Sequence, residues 1–171
     1  MTFHIKLPHH YLKPGELYVG ENPALVTTLL GSCVAVTMFN QRLRVGAVCH
    51  GLLPTCRNDH DCGGNCDEGL RYMDCAIKRM LGIFERRGIL RGEIVVKVFG
   101  GSDMFSVKEG LRRNHTIGRQ NVEKTLQTLA GEGMKITASD LGGPRGRKIF
   151  FYSHTGEVLL KRLHSSKAFI E

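Results

Sequence analysis

Tryptophan is absent from the 171 residues, tyrosine occurs four times and proline five times. There are few aromatic platforms on which bases could stack. Basic residues gather only in short clusters: Arg86-Arg87, Arg112-Arg113 and Arg145/Arg147/Lys148. Both features argue against nucleic acid as a partner. Long hydrophobic runs are missing too. Segments 34–38, 45–49 and 158–160 are typical, far short of the ~18 residues that cross a bilayer. The N-terminus shows no basic stretch followed by an apolar one and a cleavage site, so the expectation is a cytoplasmic protein without membrane insertion. Proline scarcity beside 21 glycines excludes a collagen-like or polyproline chain, and 42% hydrophobic residues exclude disorder as the main state.

Acidic side chains are outnumbered, 16 against 24 basic, for a net charge of +8. The excess is uneven. Residues 1–66 hold 5 basic and 4 acidic groups, whereas 67–171 hold 19 and 12. A charged second half of this kind favours an acidic partner. The six cysteines form an even set, but a cytoplasmic chain of this size keeps its thiols reduced. Cys33, Cys49 and Cys75 stand in apolar contexts, and Cys56, Cys62 and Cys66 in a polar, glycine-containing stretch.

Residues 1–15, with Pro8, Pro14 and Gly15, read as an irregular arm ahead of a single domain over 16–171. Strands are expected over 16–19, 24–30, 33–39 and 44–52, the last two rich in β-branched residues. The spacing of Leu70, Met73, Ile77, Met80 and Phe84 predicts an amphipathic helix over 68–87, with Gly88 at its C-terminal cap. A strand over 94–99, a helix over 121–130 and strands over 135–140, 148–153 and 157–161 follow. Segment 102–116 matches no template. The order describes one mixed α+β domain in layers.

The chemistry concentrates in Thr27-Thr28-Leu29-Leu30-Gly31-Ser32-Cys33 and Gly46-Ala47-Val48-Cys49-His50. A hairpin turning between Gln41 and Arg42 places Cys33 opposite His50, with Cβ atoms ~4.5–5.5 Å apart. An imidazole at that distance takes a proton from a thiol and shifts it toward thiolate, the usual device of a cysteine nucleophile. Gly31 and Ser32 let the backbone turn sharply, so that amide N–H groups face a developing oxyanion. Equally, Cys33 precedes an apolar strand, and a buried cysteine beside a histidine is often only packing.

The motif LGSCVAV, followed 17 positions after its cysteine by the histidine of GAVCHGLLP, resembles the bacterial chemotaxis CheD family. VKVFGGSDMF, IGRQNV with Asn121, and DLGGPRGRKIFF continue the resemblance in order over about 16–162. It implies the cysteine-hydrolase fold shared with deamidases of the cytotoxic necrotizing factor type. It implies a catalytic Cys33, His50 and Thr27, and deamidation of glutamines on the cytoplasmic helices of methyl-accepting chemotaxis receptors. It also implies a CheC-type phosphatase as partner. The alternative from another class is a CheC-binding regulatory module with little or no catalysis.

The remaining motifs stand apart from that chemistry. Cys56, Cys62 and Cys66 with His60 are zinc-ligand types, but no C-x2-C knuckle joins them, so the expectation is thiols without metal. Gly100-Gly101 and Gly142-Gly143-x-x-Gly146 lack nucleotide-binding patterns and read as tight turns beside the site, with no cofactor implied. Asp140 reads as a structural turn residue. Arg112, Arg113, Arg119 and Arg145 flank these glycine loops and are the candidates for docking an acidic receptor helix.

Overall fold

The computed structural model describes residues 6–56, 66, 68–103 and 116–164. Nine strands are described: β1 His9–Tyr11, β2 Leu17–Gly20, β3 Leu25–Leu30, β4 Val34–Asn40, β5 Val45–Gly51, β6 Ile94–Gly100, β7 Ile136–Leu141, β8 Arg147–Tyr152 and β9 Val158–Arg162. Two helices, α1 Met73–Arg86 and α2 Ile117–Gly131, complete the α+β domain. The strands form two sheets, one ordered β1-β3-β8-β9 and the other β2-β5-β4-β6-β7.

Strand alternation sorts the core into two layers. Even positions of β4 and β6 and odd positions of β5 (Val34, Val36, Met38, Val96, Val98, Ala47, Cys49) meet Met73, Ile77, Met80, Leu81 and Phe84 of α1. The opposite face (Ala35, Val48, Phe99) packs on Val26, Leu30, Ile149 and Phe151 of the four-stranded sheet. The order is therefore sheet, sheet, helices. Each large side chain buried in these layers contributes about 1.5–3 kcal/mol relative to exposure.

The β4–β5 hairpin departs from the expected register. Ala35, not Cys33, pairs with His50, and Asn40 pairs with Val45. The turn spans four residues because Asn40 Oδ1 accepts from Leu43 N–H at 2.9 Å and Arg44 takes the left-handed φ of 52°. The shift is two residues, so it preserves side-chain parity. Cys33 keeps to the face of Ala35, and it packs on the inter-sheet layer. The N-terminal arm, expected to be irregular, carries β1, which runs parallel to β3. Helix α1 begins later than the periodicity suggests, since Tyr72 is extended (φ −105°, ψ 132°) and bridges Leu53. Helix α2 begins four residues earlier, where the Thr116 side chain accepts from Arg119 N–H at 3.3 Å.

Candidate active site

His50 lies in β5 with its side chain between the two sheets, 1% exposed. Its backbone is tied down on one side: Gly15 N–H donates to its carbonyl at 2.8 Å, and its own N–H donates to Glu16 O at 3.2 Å. On the ring, Nδ1 lies 2.7 Å from Thr28 Oγ1. The Thr28 hydroxyl has one proton and donates it to Leu12 O at 2.6 Å. It must therefore accept from His50, which fixes the proton on Nδ1 and leaves Nε2 as a bare lone pair. That Nε2 is buried and has no hydrogen-bond partner among the described residues.

The residue on the imidazole is thus Thr28 rather than Thr27. The cause is parity. Even positions of β3 share the inter-sheet face with Val26 and Leu30, and Thr27 points to the other side. There its Oγ1 lies 2.8 Å from His9 Nε2.

Cys33 precedes β4 and is partly exposed. Three consecutive carbonyls fasten its turn. Gly31 O accepts from Ser102 N–H at 2.9 Å, Ser32 O from Asn121 Nδ2 at 2.9 Å, and Cys33 O from Gly101 N–H at 2.8 Å. In a planar trans peptide the N–H opposes the C=O. The N–H groups of Ser32 and Cys33 are thereby turned away from these three anchors. The Gly-Gly turn is obligatory here: Gly100 holds φ 110°, and a Cβ on it would run into the Cys33 carbonyl oxygen. Gly142 N–H in turn donates to Gly100 O at 2.9 Å. The Gly100-Gly101 loop therefore abuts the cysteine turn, and the Gly142-Gly143 loop bonds to residues 100 and 103 behind it.

Burial sets the protonation of both groups. It pushes the His50 imidazole down from its ordinary 6.5 to about 4, against the opposing pull of the Glu16 charge. It pushes the Cys33 thiol up. Burial thus favours a neutral thiol at Cys33 and a neutral imidazole at His50, not the thiolate expected from a neighbouring histidine. Asn121 emerges as a third structural element of the site. Fully buried, its Nδ2 donates to Ser32 O and to Leu52 O, both at 2.9 Å. One amide so joins the turn before Cys33 to the segment after His50.

The other candidates distribute as follows. Arg119 and Arg145 are exposed, Arg119 with an ion pair to Glu123 at 3.4 Å. Arg112, Arg113, His60 and Cys62 lie outside the described residues. Asp140 accepts from the buried Arg147 at 2.6 Å and from Arg162, and Arg147 also donates to Gly142 O. Asp140 lies in β7 rather than in the expected turn, and it braces the glycine loop through Arg147. No helix of the described residues is long and apolar enough to cross a membrane.

Residues 52–162 match the family model described as CheD chemotactic sensory transduction. The chain belongs to the CheD family. It is 50% identical over 165 residues, covering 96% of both chains, to a protein of Geobacter sulfurreducens named probable chemoreceptor glutamine deamidase CheD 2. A protein of Oleidesulfovibrio alaskensis, named probable chemoreceptor glutamine deamidase CheD, is 39% identical over 94% of this chain and 75% of its own. The chemoreceptor glutamine deamidase CheD of Thermotoga maritima is 35% identical over 87% of this chain and 88% of its own. The family model begins after His50; the Geobacter alignment, at 96% of each chain, extends across the Cys33–His50 span.

Proposed function

We propose that this CheD protein is a cytoplasmic deamidase that converts glutamine side chains of chemoreceptors to glutamate. The observation that carries the mechanism is the Thr28 hydroxyl, spent on Leu12 O and so able only to accept from His50, with Nε2 left bare on the face that Cys33 shares. A neutral imidazole in this tautomer is a base. His50 Nε2 takes the Cys33 proton as the sulfur attacks the glutamine carboxamide carbon. The N–H groups of Ser32 and Cys33, behind the fastened carbonyls, stabilise the oxyanion. The imidazolium returns its proton to the departing nitrogen, ammonia leaves, and a thioester remains. Water, deprotonated by His50, attacks the thioester and yields glutamate and the free thiol. Thr28 serves as the orienting hydroxyl and Asn121 as a positioning residue, while Thr27 is assigned to the β1–β3 contact.

The relatives' names support a receptor as substrate, and the family resemblance supports a CheC-type phosphatase as a further partner. An acidic receptor helix fits the basic second half of the chain, with Arg119 and Arg145 exposed to meet it and Arg112 and Arg113 the further candidates. The test is mass spectrometry of a receptor signalling fragment incubated with the protein. Glutamine peptides should convert to glutamate with wild type and not with Cys33→Ala. Conversion by Cys33→Ala equal to wild type refutes the mechanism.

A further inference from the structure

The deamidase chemistry leaves one group of nucleophiles unused. The sulfurs of Cys56, Cys66 and Cys75 all lie within 4.8 Å of one another, and Cys56 Sγ stands 3.8 Å from Cys66 Sγ. Two zinc–sulfur bonds of about 2.3 Å, opened at the tetrahedral angle, separate their sulfurs by about 3.8 Å. A sulfur–sulfur bond would need about 2.05 Å. The two thiols hydrogen-bond at this distance without an ion, and the same spacing suits two ligands around one ion.

The surrounding chain is built to hold these three thiols together. Leu52 and Leu53 N–H donate to Arg71 O at 2.9 and 3.0 Å, and Met73 N–H donates to Leu53 O at 2.9 Å, which lays the exit of β5 along the entry to α1. The Asp74 carboxylate accepts from Cys56 N–H at 3.2 Å and from Cys75 N–H at 2.8 Å, fixing two of the cysteine backbones with one group. Gly69 N–H donates to Cys66 O at 3.0 Å. A Cβ on Gly69 would sit 3.3 Å from the Cβ atoms of both Cys66 and Cys75, so glycine admits the two side chains side by side. Cys75 occupies the first turn of α1, which fixes its side chain beside the exit of β5.

We propose that Cys56, Cys66 and Cys75 bind a soft divalent cation, zinc by ligand chemistry, as a structural centre joining the exit of β5 to the N-terminus of α1. Each thiol gives its proton to solvent as it coordinates, and a further donor completes the tetrahedron. The ion takes no part in deamidation. It secures the segment whose Leu52 carbonyl Asn121 holds, beyond His50.

The test is elemental analysis of the full chain purified under reducing conditions from zinc-supplemented culture, paired with cobalt titration of the metal-stripped protein. Zinc near one equivalent per chain is expected, with a near-ultraviolet thiolate-to-cobalt charge-transfer band and the strong visible bands of tetrahedral cobalt. Cys56→Ser, at a partly exposed position, and Cys75→Ser should each bring zinc to background and weaken the charge-transfer band. Because Cys75 is buried and its replacement puts folding at risk, Cys56→Ser and the wild-type titration decide the matter independently. Wild-type protein with background zinc and no charge-transfer band overturns the proposal. So does zinc content unchanged in a folded Cys56→Ser.

Discussion

The depressed His50 imidazole makes a quantitative demand on stability. In the unfolded chain the ring protonates near 6.5, and in the folded protein near 4. Above 6.5 both states hold a neutral ring and the group contributes nothing to the pH dependence. As the pH falls below 6.5 the unfolded chain gains a proton that the buried site refuses, so stability drops until the folded ring titrates near 4. Between pH 7 and pH 5 this single group removes about 2 kcal/mol. The perturbation to use is His50→Gln, which keeps a polar side chain for Thr28 but does not titrate. Urea unfolding at several pH values, followed by far-ultraviolet circular dichroism because the chain has no tryptophan, gives the stability of each protein. Subtracting the variant's profile removes the carboxylates common to both. The wild type should lose about 2 kcal/mol more than the variant between pH 7 and pH 5. Parallel profiles would falsify the buried, Nε2-bare histidine and the base role built on it.

Cys33→Ser should reduce ammonia release to background while the far-ultraviolet spectrum stays native. Thr28→Val should cost about 1–3 kcal/mol in unfolding experiments by orphaning the His50 Nδ1–H, and should lower the deamidation rate far more than Thr27→Val; equal rates refute the orienting role of Thr28, and a slower Thr27→Val returns it to Thr27. Asn121→Leu strips the carbonyls of Ser32 and Leu52 of their shared donor. It should lower the turnover rate more than it alters the Michaelis constant, and alkylation of Cys33 should change its pH profile; an unchanged profile makes Asn121 a packing residue only.

The sequence disclosed the elements better than their partners. Eight of the nine described strands and both helices follow from β-branched runs and helical periodicity, because those patterns record which face of a segment is buried. Strand β1 escaped because His9–Tyr11 is exposed and owes its extended form to pairing with β3. The exchange of Thr28 for Thr27 has a similar origin. Strand β3 reads Leu-Val-Thr-Thr-Leu-Leu, apolar at both parities, so nothing local states which threonine faces the second sheet. Motif spacing located Cys33 and His50 on one face, yet their register depended on an Asn40 side-chain contact that fixed the turn length.

The same distinction separates the two cysteine groups. Cys56, Cys62 and Cys66 invite comparison because they are close in sequence, whereas the geometry brings Cys75 from the helix to Cys56 and Cys66. Cys75 reads from sequence as one more apolar position on the α1 stripe, and it is buried. What sets it apart is its place in the first helical turn together with the bridge from Leu53 to Tyr72, a long-range pairing that no periodicity encodes. The short path from His50 through Leu52 to Cys56 then gives the cluster a physical connection to the proposed site. Asn121 grips Leu52 O from one direction, and the backbone bonds to Arg71 grip the same segment from the other. A change in the cysteine cluster therefore acts on a segment already restrained beside the site, and its effect on deamidation should come through stability of that segment rather than through the ionisation of Cys33.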